Sequence, residues 1–212
     1  MRLYVIRHGE TDWNKDHLLA GRTDIPLNDR GRKLAECTSE GLKDVSFDLC
    51  ISSPLRRAAE TAKIVLNNSE IPVIFDDALI EISFGDYEGR KCQDDNRNVL
   101  LDEYNMFKDH PLEFKGMPHG ESIRDVIKRA GKAFERITTK PEYQDKTILI
   151  STHGCYYRAF LNRIYMTVQS FKTTCQFLCV LPAVVYSVKQ YVFKQNLAVC
   201  TFNIVFSRFY DL

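Results

Sequence analysis

Four places in the chain set chemistry-bearing side chains beside a short apolar run. Arg7-His8-Gly9-Glu10 follows Leu3–Ile6, and Ser52-Ser53-Pro54-Leu55-Arg56-Arg57 follows Leu49-Cys50-Ile51. Glu81 lies beyond the run Ile71–Phe75, and His153-Gly154 ends the run Thr147–Thr152. Two histidines, two arginines (Arg7 and Arg57) and one carboxylate suit phosphoryl transfer. A guanidinium presents a planar fork of donors that matches phosphate oxygens. A neutral imidazole is a competent nucleophile near pH 7. A carboxylic acid can protonate a leaving alkoxide and then serve as base toward water. The glycine after each histidine is expected to let a phosphate come close to backbone N–H groups. Taken singly these signals are weak. Arg56-Arg57 alone reads as a solvated pair, Glu81 alone as a surface carboxylate, and no Gly-x-x-x-x-Gly-Lys-Ser/Thr phosphate loop is present. His17, His110 and His119 read as surface or loop residues. Only the joint pattern at strand ends points to a site.

That pattern needs elements to carry it. Leu3–Ile6 and Leu49–Ile51 read as buried strands, and Ile71–Phe75 and Thr147–Thr152 as a third and a fourth strand. Asn28–Leu42 reads as a weak helix with Leu34, Cys37, Gly41 and Leu42 on one side. Ser53 as N-cap and Pro54 at the first helical position predict a helix to about Leu66, with Ala58, Ala62, Val65 and Leu66 inward. Residues 85–120 are broken by glycines and prolines and read as loop. Ser122 with Asp125 three residues on resembles a capping box, and Ile123, Val126, Ile127, Ala130, Phe134 and Ile137 follow at helical spacing. A last helix is expected from Tyr156 to Tyr165. Alternation of strand and helix predicts an α/β three-layer sandwich, a mostly parallel central sheet flanked by helices, with its site at the C-terminal ends of the strands.

Composition excludes several other classes. The 212 residues carry 29 Lys+Arg against 28 Asp+Glu, a balance unlike a dedicated nucleic-acid binder. Ten glycines and seven prolines exclude a collagen-like or disordered chain. The opening Met1–Ile6 is too short an apolar stretch for a secretory signal, and seven scattered cysteines read as reduced thiols, so a cytoplasmic protein is expected. Cys175 and Cys179 are spaced like half of a zinc site whose other half is missing, and they are read as ordinary thiols. One domain over 1–212 is expected, with an atypical tail from about 166 to 212. Residues 1–161 hold 27 of the 28 acids and 24 bases, net −3; residues 162–212 hold only Asp211 against five bases, net +4. The longest apolar run there, Phe177–Val188, falls short of the roughly 20 residues a membrane span requires.

Arg7-His8-Gly9-Glu10-Thr11-x-Trp13-Asn14 resembles the signature of the histidine phosphatase superfamily, also called phosphoglycerate mutase-like. The resemblance continues through Leu27-Asn28-x-x-Gly31, Ser52-Ser53-Pro54-Leu55-x-Arg57-Ala58-x-x-Thr61-Ala62, Glu81-x-x-Phe84-Gly85-x-x-Glu88-Gly89, Gly120-Glu121-Ser122 and Ser151-Thr152-His153-Gly154. It implies that His8 becomes a phosphohistidine, that Arg7, Arg57 and His153 hold the phosphoryl oxygens with help from the Gly154 N–H, that Asn14 binds phosphate, that Gly21 lines the substrate side, and that Glu81 is proton donor then acceptor. It implies no metal and no cofactor. The expected partner is a small phosphorylated metabolite, with no nucleic acid, no membrane and a possible homodimer. The stretch from Arg90 to Pro118 is shorter than in the mutase branch and lacks its tandem arginines, so the resemblance favours a phosphatase over a phosphoglycerate mutase-type isomerase. A folded, inactive phosphate-binding scaffold is the third reading, and the retained His8, Arg7, Arg57, Glu81 and His153 argue against it. The tail departs from the family: Thr167–Tyr210 contains no acid, and only Cys200–Val205 resembles the family's edge strand. A frame shift, an alternative terminus or a divergent partner surface would each produce such a tail.

Overall fold

The computed structural model describes residues 1–96, 98–165, 185–194 and 197–205, with side chains described through Asn162. Cys175 and Cys179 lie outside the described residues. The strands are β1 (Arg2–Arg7), β2 (Leu49–Ser52), β3 (Val73–Phe75), β4 (Thr147–Thr152), β5 (Val185–Lys194) and β6 (Leu197–Val205). They form one sheet in the order β3-β2-β4-β1-β5-β6. The first four are parallel; β5 runs antiparallel to β1, and β6 antiparallel to β5. Cys200–Val205 thus falls inside an edge strand, as its sequence suggests.

The helices are α1 (Asp12–Lys15), α2 (Asp29–Gly41), α3 (Arg56–Val65), α4 (Asp102–Asp109), α5 (Ile123–Thr139) and α6 (Gly154–Tyr165). Successive side chains of a strand point to opposite faces. Accordingly Leu3 and Val5 join Val126, Ala130, Phe134 and Phe160 of α5 and α6 in one core, while Tyr4 and Ile6 join Ala35, Ala62 and Val65 of α2 and α3 in the other. These two cores make the three layers.

Register is what matters for the site. Arg7 pairs with Thr152 across β1 and β4, and Ser52 pairs with Ser151 across β2 and β4. The residues after Arg7 and Thr152, His8 and His153, therefore emerge side by side, and Ser53, level with Thr152, stands one step behind them on β2. His8 N–H donates to Thr152 O (2.9 Å) and Ser53 N–H to Ser151 O (3.0 Å), which carries the ladder one step past the strand ends.

Four local expectations are corrected. The buried stripe of α2 is Gly31, Ala35 and Thr38, continued by Leu42; Leu34 and Cys37 are only half-buried and Gly41 is exposed. The third strand begins at Val73, not Ile71. Helix α3 begins at Arg56 with no side-chain bond from its N-cap Leu55, because Ser53 is engaged elsewhere; Asp24 Oδ1 from a distant loop accepts the Arg56 N–H instead (2.7 Å). The stretch 85–120 contains α4, which has no capping signal and is held by an aromatic cluster of Tyr104, Phe107, Phe84 and Phe114. Helix α5 starts as expected: Ser122 Oγ accepts the Asp125 N–H (3.2 Å) and donates to the Asp125 carboxylate (2.6 Å).

Candidate active site

The strand ends bring His8, His153 and Ser53 together. The two imidazoles stand 5.1 Å apart between ring centroids, and both are buried. His8 Nδ1 faces Gly9 O at 2.6 Å. A carbonyl only accepts, so Nδ1 carries the proton and Nε2 keeps its lone pair. His153 Nε2 meets Ser53 Oγ at 2.8 Å, and Ser53 Oγ also accepts the Leu55 N–H (3.3 Å). His153 Nδ1 is buried and has no hydrogen-bond partner among the described residues. Burial pushes both imidazoles well below the ordinary histidine value. The Arg7 and Arg57 guanidinium charges push His8 in the same direction; His153 is lowered further by His8 and then by Arg57 and Arg7. Both rings are therefore neutral at pH 7.

Arg57, on the first turn of α3, is 0% exposed, so the solvated-pair reading is excluded for it, whereas Arg56 stays at the surface. A buried guanidinium needs partners. Arg57 Nη2 donates to Gly21 O (2.6 Å) and Nη1 to Thr23 O (2.8 Å), while its buried Nε has no partner among the described residues. Gly21 serves this grip: a Cβ there would lie 2.7 Å from Ile82 O and overlap the Glu88 carboxylate. Glu88 in turn accepts the backbone N–H of Arg22 (2.8 Å), of Thr23 (2.7 Å) and of Phe84 (3.2 Å). Loop 21–24 is thus clamped between Glu88 and the start of α3.

Glu81 is buried, not a surface carboxylate. Three backbone N–H groups donate to it: Ile82 and Tyr156 to Oε1 (2.9 and 3.0 Å) and Cys155 to Oε2 (3.0 Å). Two of these belong to the first turn of α6, where N–H groups lack helical partners and the helix dipole is positive. Glu81 is also the largest favourable charge acting on Arg57. The Arg7 guanidinium packs over Gly154, where a Cβ would come within 3.2 Å of Nε.

Two expected contributors sit differently. Asn14 closes the α1 cap: Thr11 N–H and Oγ1 donate to its Oδ1 (3.1 and 3.0 Å), so only its Nδ2 group is left for a phosphate. The Gly9 N–H donates to Thr61 Oγ1 (3.0 Å) rather than being kept for an anion. Gly9 lacks a side chain because its backbone crosses α2 at Gly31, with a built Cβ 2.9 Å from Gly31 C. Ser53, Thr61 and Arg129 are not singled out as site residues by the sequence alone, although Ser53 and Thr61 lie inside the quoted motifs. Arg129 carries a weak signal of its own: a charge placed between Val126 and Ala130 on the apolar stripe of α5.

Known proteins resemble this chain in sequence and in fold. The "Uncharacterized phosphatase PhoE" of Bacillus subtilis is 32% identical over 160 residues, covering 76% of this chain and 75% of that protein. A "2,3-bisphosphoglycerate-dependent phosphoglycerate mutase 2" of Gloeobacter violaceus is 32% identical over 163 residues, covering 75% and 73%. The crystal structure of the alpha-ribazole phosphatase from Shigella flexneri superposes with a TM-score of 0.76 at 29% identity, covering 95% of each chain. Residues 3–195 match the family model of the histidine phosphatase superfamily (branch 1). With its motifs meeting at adjoining strand ends, this chain belongs to that superfamily, as a phosphatase or mutase-like enzyme.

Proposed function

We propose that this chain is a metal-independent phosphomonoesterase acting on a small phosphorylated metabolite through a phosphohistidine at His8. The observation that carries the reading is the His8 ring: its Nδ1–H is held by Gly9 O, and burial with two guanidinium groups keeps it neutral. The Nε2 lone pair attacks phosphorus and the ester P–O bond breaks. Arg7 and Arg57 stabilise the charge on the phosphoryl oxygens, the part a magnesium ion takes in other phosphoryl-transfer sites. With the Ser53 O–H donating to Nε2 of His153, its Nδ1–H is a further donor to those oxygens. Asn14 Nδ2 and the Gly154 N–H are the remaining groups assigned to phosphate, and Gly21 lines the substrate side. Glu81 gives its proton to the leaving alkoxide, then takes one from the water that attacks phosphohistidine and releases phosphate.

Enzyme quenched in alkaline denaturant should show a base-stable, acid-labile adduct that His8→Ala lacks, and turnover should persist in EDTA. Glu81→Gln should slow esters with poor leaving groups by about 10²–10⁴-fold. Formation of phosphohistidine from an activated aryl phosphate, read as a burst, should lose far less. Wild-type turnover in His8→Ala would end the proposal. A mutase is the second reading, favoured by the similarity to the Gloeobacter violaceus mutase: phosphohistidine would then return its phosphoryl group to a substrate hydroxyl. Interconversion of 3- and 2-phosphoglycerate faster than phosphate release would establish it.

A further inference from the structure

Resting on that reading of Glu81 as the leaving-group acid, we infer that Arg129 of α5 is the positioning residue that holds Glu81 in its proton-donating place. The segment before Glu81 has no strand ladder of its own: a single 3₁₀ turn, Asp77–Leu79, leads through an extended Ile80 directly to Glu81. Its carbonyls must find other donors. Arg129 Nη1 donates to Ala78 O (3.0 Å) and to Ile80 O (2.7 Å), and Nη2 donates to Glu81 O (2.9 Å). The carbonyl between them, Leu79 O, accepts from Thr152 Oγ1 (2.7 Å) at the end of β4. Four consecutive carbonyls are thus fixed by two side chains.

The other side of the guanidinium fixes Arg129 itself. Nε and Nη2 clasp the two oxygens of Glu121 at 2.7 and 3.0 Å, and Arg129 is largely buried there, with 19% of its side chain exposed. All five N–H donors are then in use, in a fork geometry that lysine, with three donors on one atom, cannot reproduce. The guanidinium carbon also lies 4.8 Å from the centroid of the Tyr156 ring. Tyr156 is the residue whose backbone N–H donates to Glu81 Oε1. One side chain therefore touches both the main chain that carries Glu81 and the helix turn that receives its carboxylate. A misplacement of about 1 Å at a reacting group costs up to 10²-fold in rate.

The test compares phosphohistidine formation from a series of phosphate monoesters of graded leaving-group pKa. It uses wild type, Arg129→Lys, Glu81→Gln and the double variant, with thermal melting alongside. Arg129→Lys should lose about 10- to 100-fold with poor leaving groups and under about twofold with an activated aryl phosphate. In the Glu81→Gln background it should add less than about twofold, since the group it positions is already gone. If Glu81→Gln is selective for poor leaving groups but Arg129→Lys slows all esters alike, or multiplies with Glu81→Gln, the inference is overturned and the acid role of Glu81 stands. If Glu81→Gln itself slows all esters alike, the acid role falls and the inference with it. Should Arg129→Lys not fold, Glu121→Gln removes the clasp while leaving Arg129 in place. The same selectivity then supports the inference, and a uniform loss overturns it.

Discussion

His153 and Ser53 show how a single hydrogen bond can decide what a side chain offers. An imidazole has one N–H when neutral, and the partner of one nitrogen sets the state of the other. With the Ser53 O–H donating to Nε2 across their 2.8 Å contact, the direction the proposed role requires, the His153 proton sits on Nδ1, which is buried without a partner among the described residues. Ser53→Ala should lower kcat by about 10- to 100-fold with an aryl phosphate while leaving the fold intact, and Ser53→Thr should restore most of the loss. Steady-state kinetics on the two variants decides it: an unchanged kcat in Ser53→Ala would show that the hydroxyl does not orient the ring.

At the scale of elements, the loop after β1 is placed by its crossing of α2. Gly9 and Gly31 let two backbones touch, and Asn28, the N-cap of α2, accepts the Gly31 N–H on its Oδ1 (2.8 Å) while its own N–H donates to Glu10 O (3.0 Å). A Cβ on Gly31 would lie 2.7 Å from Glu10 N and overlap the Glu10 carbonyl oxygen. Both obstacles are main chain and cannot rotate away. Gly31→Ala should therefore cost about 2–3 kcal/mol, typical of overpacking, and lower Tm by about 5–10 °C. It should also slow the His8 reaction, because the strained loop carries His8. The N-cap of α5 is an independent control: Ser122→Ala should cost about 1 kcal/mol in a urea titration with no effect on chemistry.

Over the whole molecule, the buried imidazoles tie stability to pH. An unfolded histidine titrates near 6.5, whereas folded His8 and His153 titrate well below it. Between those values the unfolded chain binds more protons than the folded one. Stability is therefore full above about pH 6.5 and falls as pH drops below it, until the folded histidines themselves protonate. Each histidine contributes a slope of up to about 1.4 kcal/mol per pH unit in that window. Urea midpoints between pH 7.5 and 5.5 should show this loss, and His8→Asn should flatten it substantially. An identical slope in wild type and variant would show that His8 does not carry the linkage.

Much of the molecule was legible in the residues because the signals are local. Apolar runs of three to six residues mark parallel strands, Ser122 marks a helix start, and His8, Arg57, Glu81 and His153 sit within short motifs. What tertiary structure alone decided are pairings between distant segments. Ser53 looks like a helix cap until β2 and β4 align it with His153, 100 positions away. Glu81 looks like a surface acid until α6, 75 positions on, brings its first N–H groups to the carboxylate. Helix α4 has no cap to announce it because aromatic packing from outside the segment supplies its stability. Strand order and register are set by burial of both faces at once, and no local stretch contains that information. The sequence by itself therefore determined which groups are available for the proposed chemistry, and packing determined which atoms of those groups face one another.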